Sequence, residues 1–141
     1  MKSIDEMTAQ ELRVEIAKER GYTAEPVVFS KNCTRIDDTN YYALKLDGVE
    51  CDDSIWLSPN DCFSYDTPDV SSDIADAFEL VEDMNIHGYT VNIQIDHNGT
   101  TVFVKERGIV TGEIRIDATF SKITPEAISR AWLKWKRGKN E

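Results

Sequence analysis

The sequence holds no positive charge over 59 consecutive residues. Lys45 is followed by no Lys or Arg until Lys105, and the 59 residues between them contain 13 of the chain's 26 acids. The remaining 82 residues carry all 16 bases against 13 acids, so the net charge of −10 is concentrated in residues 46–104. Phosphate contacts need Lys and Arg, so direct nucleic-acid binding through a broad basic surface is not expected. A basic protein is the electrostatically easier partner. Other absences narrow the field. The seven glycines are scattered, and neither Gly-x-Gly-x-x-Gly nor a P-loop occurs. The three cysteines, Cys33, Cys51 and Cys62, have no Cys-x-x-Cys spacing, which gives neither a disulfide framework nor a zinc motif. No apolar run is long enough to span a membrane, so no membrane partner is expected. The opening MKSIDEMTAQ has no apolar core and does not read as a secretory signal.

Catalytic constellations are equally scarce. His87 and His97 are the only histidines, one expected at a helix end and one in a hairpin turn, and no Gly-x-Ser-x-Gly occurs. The loop acids Asp61, Asp66 and Asp69 with Asp73 miss the spacing of a calcium loop. The reading is therefore non-enzymatic, with no catalytic residue, no metal site and no cofactor.

What is present is a sequence of strong local signals. Thr8-Ala9-Gln10-Glu11 fits a capping box, with Met7 and Leu12 as its hydrophobic staple. Leu12, Ile16 and Ala17 then share a face, and Gly21 stops a helix over about 9–20. Residues 26–29 read as a short strand and 31–40 as a polar loop. Tyr41 to Leu46 is strand-like, and Asp47-Gly48 predicts a tight turn into a weak strand over 49–57. Residues 58–71 are rich in turn formers, with Trp56, Phe63 and Tyr65 as anchors for a long loop.

A second helix is expected over about 73–86, capped by Ser71, Ser72 or Asp73. Ile74, Ala77, Phe78, Val81 and Met84 form its core stripe, and Asp76, Glu79 and Asp83 fall on another side. Glu82 and Asp83 sit at the negative end of the helix dipole without a base at i+4, so something other than helix stability should keep them acidic. Val91, Ile93 and Ile95 alternate inward along a strand, and Asn98-Gly99 marks a hairpin. Residues 101–105 return. Ile114, Ile116, Ala118 and Phe120 then share one face of a further strand. Thr124-Pro125 opens the last helix, whose apolar face is Ala127, Ile128, Ala131, Trp132 and Trp135. The two tryptophans are large for so small a core, and surplus aromatic surface would pair two copies into a homodimer.

Together these pieces resemble the phage ABA sandwich domain family of small bacteriophage and prophage proteins. The carrying residues are Arg20-Gly21-Tyr22, the 41–48 strand and turn, Trp56-Leu57-Ser58-Pro59, and 75–84 leading to Gly88-Tyr89. Ala118-Thr119-Phe120 and Thr124-Pro125-Glu126-Ala127-Ile128-Ser129-Arg130-Ala131 complete them. The resemblance implies an α-β-α layered fold and a phage setting in the bacterial host cytoplasm; it implies no activity.

The fold expected is α+β, one domain over 1–141, with an antiparallel sheet of about four to five strands layered with three helices. The functional expectation is an accessory protein that binds a basic host or phage protein, either host-defence related or met through nucleic-acid mimicry. Its acidic face would comprise Asp61, Asp66, Asp69, Asp73, Asp76, Glu79 and Asp83. The alternatives are a small-molecule or signal-nucleotide binder, using Lys105, Arg107, Arg115, Lys122 and Arg130, and a soluble structural protein with no dedicated acidic site.

Overall fold

A computed structural model describes residues 3–27, 41–51, 54–106 and 114–138, with backbone alone for 114–118. The expected 31–40 loop and Cys33 lie outside these residues. The chain divides into two compact units, one of residues 1–16 and 68–141, the other of residues 17–67.

The larger unit contains most of helix α1 (Ala9–Glu19), helices α3 (Ile74–Ile86) and α4 (Thr124–Gly138), and strands β4 (Tyr89–Asp96), β5 (Gly99–Glu106) and β6 (Ile114–Ser121). The capping box forms as expected: the Glu11 amide donates to Thr8 Oγ1 and the Thr8 amide to Glu11 Oε1, each at 3.2 Å. The three strands form one antiparallel sheet in the order β4-β5-β6. Its apolar face buries Tyr89, Val102 and Val104. Helix α4 packs on β5, β6 and α3, and α3 on β4. Ala127, Ile128, Ala131, Trp132 and Trp135 are all buried, as their periodicity requires. Trp132 and Trp135 are each 1% exposed, so no tryptophan surplus is left to form a dimer patch.

The smaller unit pairs β1 (Tyr22–Pro26), β2 (Tyr42–Leu46) and β3 (Val49–Glu50) in that order, again antiparallel. Asp47 and Gly48 both have positive φ, 53° and 81°, which is the type I′ geometry this dipeptide favours. Helix α2 (Pro59–Tyr65) packs on β1 and β2 over a small core containing Ala43, Leu44, Cys62 and Phe63.

The α+β class holds, with helices layered on antiparallel strands. Among the described residues the strands form two sheets of three rather than one of four to five, and four α-helices rather than three. The added helix is α2, within a stretch read as a loop. Its signal was legible: Ser58 caps it, accepting from the Asp61 amide at 3.2 Å, and Pro59 occupies the first turn.

Three finer expectations are corrected. A strand pairs with β2 over Tyr22–Pro26, ahead of the one expected over 26–29, of which residues 28–29 lie outside the described residues. The second hairpin turns on His97 and Asn98, not on Asn98-Gly99. Asp96 pairs with Gly99, and Asp96 Oδ1 accepts from the Asn98 amide at 2.7 Å and the Gly99 amide at 3.2 Å. Gly99 is required for another reason: a Cβ there would lie 2.6 Å from the Ser121 carbonyl oxygen. Finally, the apolar face expected of β6 does not include Phe120. Val102 pairs with Thr119 but Val104 with Ile116, so that residues 117 and 118 lie opposite Phe103 alone. This irregularity turns Thr119 inward, 1% exposed, and Phe120 outward, 51% exposed.

Candidate functional site

Helix α3 is where the sequence concentrates both apolar and acidic side chains. Asp73 caps it, accepting from the Asp76 amide at 3.1 Å. Ala77, Leu80, Val81 and Met84 face the core, at i, i+3, i+4 and i+7. The expected stripe is thereby corrected. Ile74 and Phe78 are each 45% exposed, and Leu80 takes their place in the core. At 3.6 residues per turn, Phe78 lies about 100° round the helix from Ala77. The apolar arc is therefore wider than the surface that covers it. Leu80, opposite in direction to Phe78, was the sign that the arc extends past the core on one side.

The uncovered residues line a groove. Ile74 and Phe78 of α3, Ile93 and Ile95 of β4, and Ser72, Thr124 and Pro125 surround a space of about 640 Å³. Ile95 is 69% exposed, whereas the alternation of Val91, Ile93 and Ile95 places all three inward. The strand runs beyond the helices that cover its start, so its last apolar residue emerges at the groove. Sequence reasoning missed this groove, since its apolar residues Ile74, Phe78, Ile93 and Ile95 looked like core and Ser72, Thr124 and Pro125 like helix starts.

The acids sort into two kinds. Asp83 Oδ2 accepts from the Trp132 indole nitrogen at 2.8 Å, and its main-chain oxygen lies 2.7 Å from His87 Nδ1. Asp76 Oδ2 accepts from the Asp69 amide at 2.9 Å. Asp69 Oδ1 in turn lies 4.0 Å from Arg13. These acids hold the unit together: a buried indole N–H left without an acceptor costs about 1–3 kcal/mol. This answers why Asp83 persists at an electrostatically poor end of the helix. Glu79 and Glu82 are exposed, as is the capping Asp73.

Asp61 and Asp66 belong to the smaller unit. Asp66 Oδ2 accepts from the Trp56 indole at 2.7 Å, and Trp56 stacks on Tyr65 at 4.9 Å. Asp61 lies in the first turn of α2, where a carboxylate suits the helix dipole. Trp56, Phe63 and Tyr65 thus anchor their segment as expected, with Tyr65 stacked although 62% exposed. Of the seven acids proposed as one face, the structure brings together Asp69, Asp73 and Asp76 around the start of α3. Burial pushes the Cys62 thiol pKa up, with Asp66 and Asp61 adding to the effect, which keeps it protonated and chemically quiet.

The bases considered for an anionic ligand are placed differently. Arg130 donates to the Phe120 and Met7 carbonyl oxygens at 3.0 and 3.1 Å and to Glu126 at 2.5 Å. Lys105 pairs in register with Thr90, at the end of β4 away from Ile93 and Ile95. Lys122 is exposed. Arg107 and the Arg115 side chain lie outside the described residues. Among the described residues no group of three or more His, Cys, Asp or Glu side chains could hold a metal ion, and no helix is long and apolar enough to cross a membrane. Comparisons with protein-family models, curated proteins and solved structures each found no match.

Proposed function

We propose that the protein is a non-enzymatic binding protein that takes a basic protein partner on the outward side of α3. The observation that carries this reading is the composition of that side. Half-exposed Ile74 and Phe78 stand on the same helix as exposed Asp73, Glu79 and Glu82. Apolar anchors with charged neighbours are the usual make-up of a protein-binding surface, the first giving affinity and the second orientation and rate. The acidic field of residues 46–104 selects for positive charge in the partner.

The resemblance to phage ABA sandwich proteins supplies the setting. On that reading the chain is a bacteriophage or prophage accessory protein acting in the host bacterial cytoplasm. Its partner is a basic host or phage protein, a host-defence or nucleic-acid-binding protein among them, met through mimicry of a polyanion. The small-molecule or signal-nucleotide alternative has less support, because the groove lining holds no base and Arg130 is engaged elsewhere.

The test is capture from bacterial lysate by three immobilised forms: the unaltered chain, Glu79→Lys/Glu82→Lys, and Glu50→Lys as a charge control on exposed strand β3. The expected result is a basic protein held by the first and third forms, lost by the second, and released as salt rises. Equal capture by all three forms contradicts the reading.

A further inference from the structure

Among the described residues, strand β4 is an edge without the protection that edges normally carry. It spans eight residues, Tyr89–Asp96, and is an outer strand in the order β4-β5-β6. Natural edge strands of this length are blunted by Lys, Pro, a bulge or a covering segment, because their free amides and carbonyls pair with any extended chain. Strand β4 contains no Lys, Arg or Pro, and its one charge, Asp96, falls at its end. Its register with β5 is unbroken over all eight residues, whereas the β5–β6 register shifts. Among the described residues no main-chain group outside the sheet bonds to it. Asn92, Gln94, Ile95 and Asp96 are exposed.

The groove supplies an independent observation. Ile93 and Ile95, two residues apart on this edge strand, form one of its walls, and Ile74 and Phe78 form the other. A chain added to an edge presents alternate side chains to the same face, spaced at about 6.6–6.8 Å. Main-chain hydrogen bonds then give affinity and the pocket for alternate side chains gives specificity. An edge beside an apolar groove has both parts.

Charge decides between occupants. The segments framing the groove, residues 72–78, 93–96 and 122–125, hold Asp73, Asp76 and Asp96 against Lys122 alone. Exposed Glu79 and Glu82 follow on α3. A second copy paired through β4 would extend the sheet by symmetry and bring two acidic α3 helices to the same face, which like-charge repulsion opposes. A segment bearing positive charge meets no such cost. We propose that an extended, basic segment of a partner protein adds as a strand to the edge of β4 left open among the described residues, placing an apolar side chain in the Ile74–Phe78–Ile93–Ile95 groove. This rests on the reading of a basic partner and specifies how that partner is held.

The probe is a fluorescent peptide of about nine residues, long enough to match the strand, alternating Lys with Val. Its controls are the same peptide N-methylated at alternate residues, which removes strand hydrogen bonds while keeping charge, and a version with Glu for Lys. Anisotropy measures affinity, and amide hydrogen exchange locates binding. Strand addition predicts protection of residues 90–95 by the probe and affinity at least about tenfold weaker for both controls, a difference of about 1.4 kcal/mol or more. Phe78→Ala/Ile95→Thr, with its fold checked by circular dichroism, should weaken the probe similarly. Equal binding of the N-methylated peptide overturns strand addition. If Glu79→Lys/Glu82→Lys abolishes that equal binding, the acidic-surface reading survives alone. Absence of probe binding at low salt, or protection of β4 by dimerisation of the chain itself, also overturns the proposal.

Discussion

Helices α3 and α4 pack on one another in the same unit, and they spend their apolar residues in opposite ways. Helix α4 buries Pro125, Ala127, Ile128, Ser129, Ala131, Trp132, Leu133 and Trp135, which leaves little of its circumference in water. Its charged residues make fixed contacts: Arg130 to main-chain oxygens, Lys134 to Asp5 at 2.9 Å, Arg137 to Glu15 at 2.9 Å. Helix α3 buries four residues and leaves Ile74, Phe78 and Ile86 exposed among acids. The difference separates two uses of an apolar side chain. On α4 it makes the fold. On α3, outside the stripe of Ala77, Leu80, Val81 and Met84, it makes surface, and surface is what a partner can recognise.

Substitutions should divide along the same line. The largest loss of stability is expected for Trp132→Ala, which empties a fully buried site: about 3–5 kcal/mol by chemical denaturation. Asp83→Ala, on α3 but bonded to Trp132, should cost about 1–3 kcal/mol, because the indole donor loses its acceptor. A cost near zero would show that α3 and α4 are not coupled through that bond. Phe78→Ser should cost no more than about 1 kcal/mol, since nearly half of the ring is already exposed. A loss comparable to Trp132→Ala would place Phe78 in the core and remove the groove. Glu79→Lys/Glu82→Lys should change stability least, within about 0.5 kcal/mol, as expected for exposed positions.

The legible part of the fold was local. The capping box at Thr8, the Asp47-Gly48 turn, the Thr124-Pro125 start and the α4 face follow from residue type and spacing, because each is decided within a few residues of itself. The β6 face was not legible, since the shift opposite Val102 and Val104 belongs to a pair of strands rather than to one. The groove was hidden for a related reason. Ile74, Phe78 and Ile95 have core-like periodicity, and only the extent of the neighbouring elements decides whether they are covered. The acids were half legible: sequence singled out α3, but Asp76 and Asp83 proved to be acceptors for internal donors, while Glu79 and Glu82 are exposed. Reversal of Asp76 or Asp83 therefore disturbs internal bonds as well as surface charge, whereas Glu79 and Glu82 are the more exposed positions to vary.

The most direct measurement is the affinity of the alternating Lys–Val peptide for Glu79→Lys/Glu82→Lys, taken with the unfolding free energy of the same variant. The outward side of α3 is the binding surface if affinity falls at least about tenfold while stability stays within about 0.5 kcal/mol of the unaltered chain. Unchanged affinity in a variant of unchanged stability would contradict that assignment.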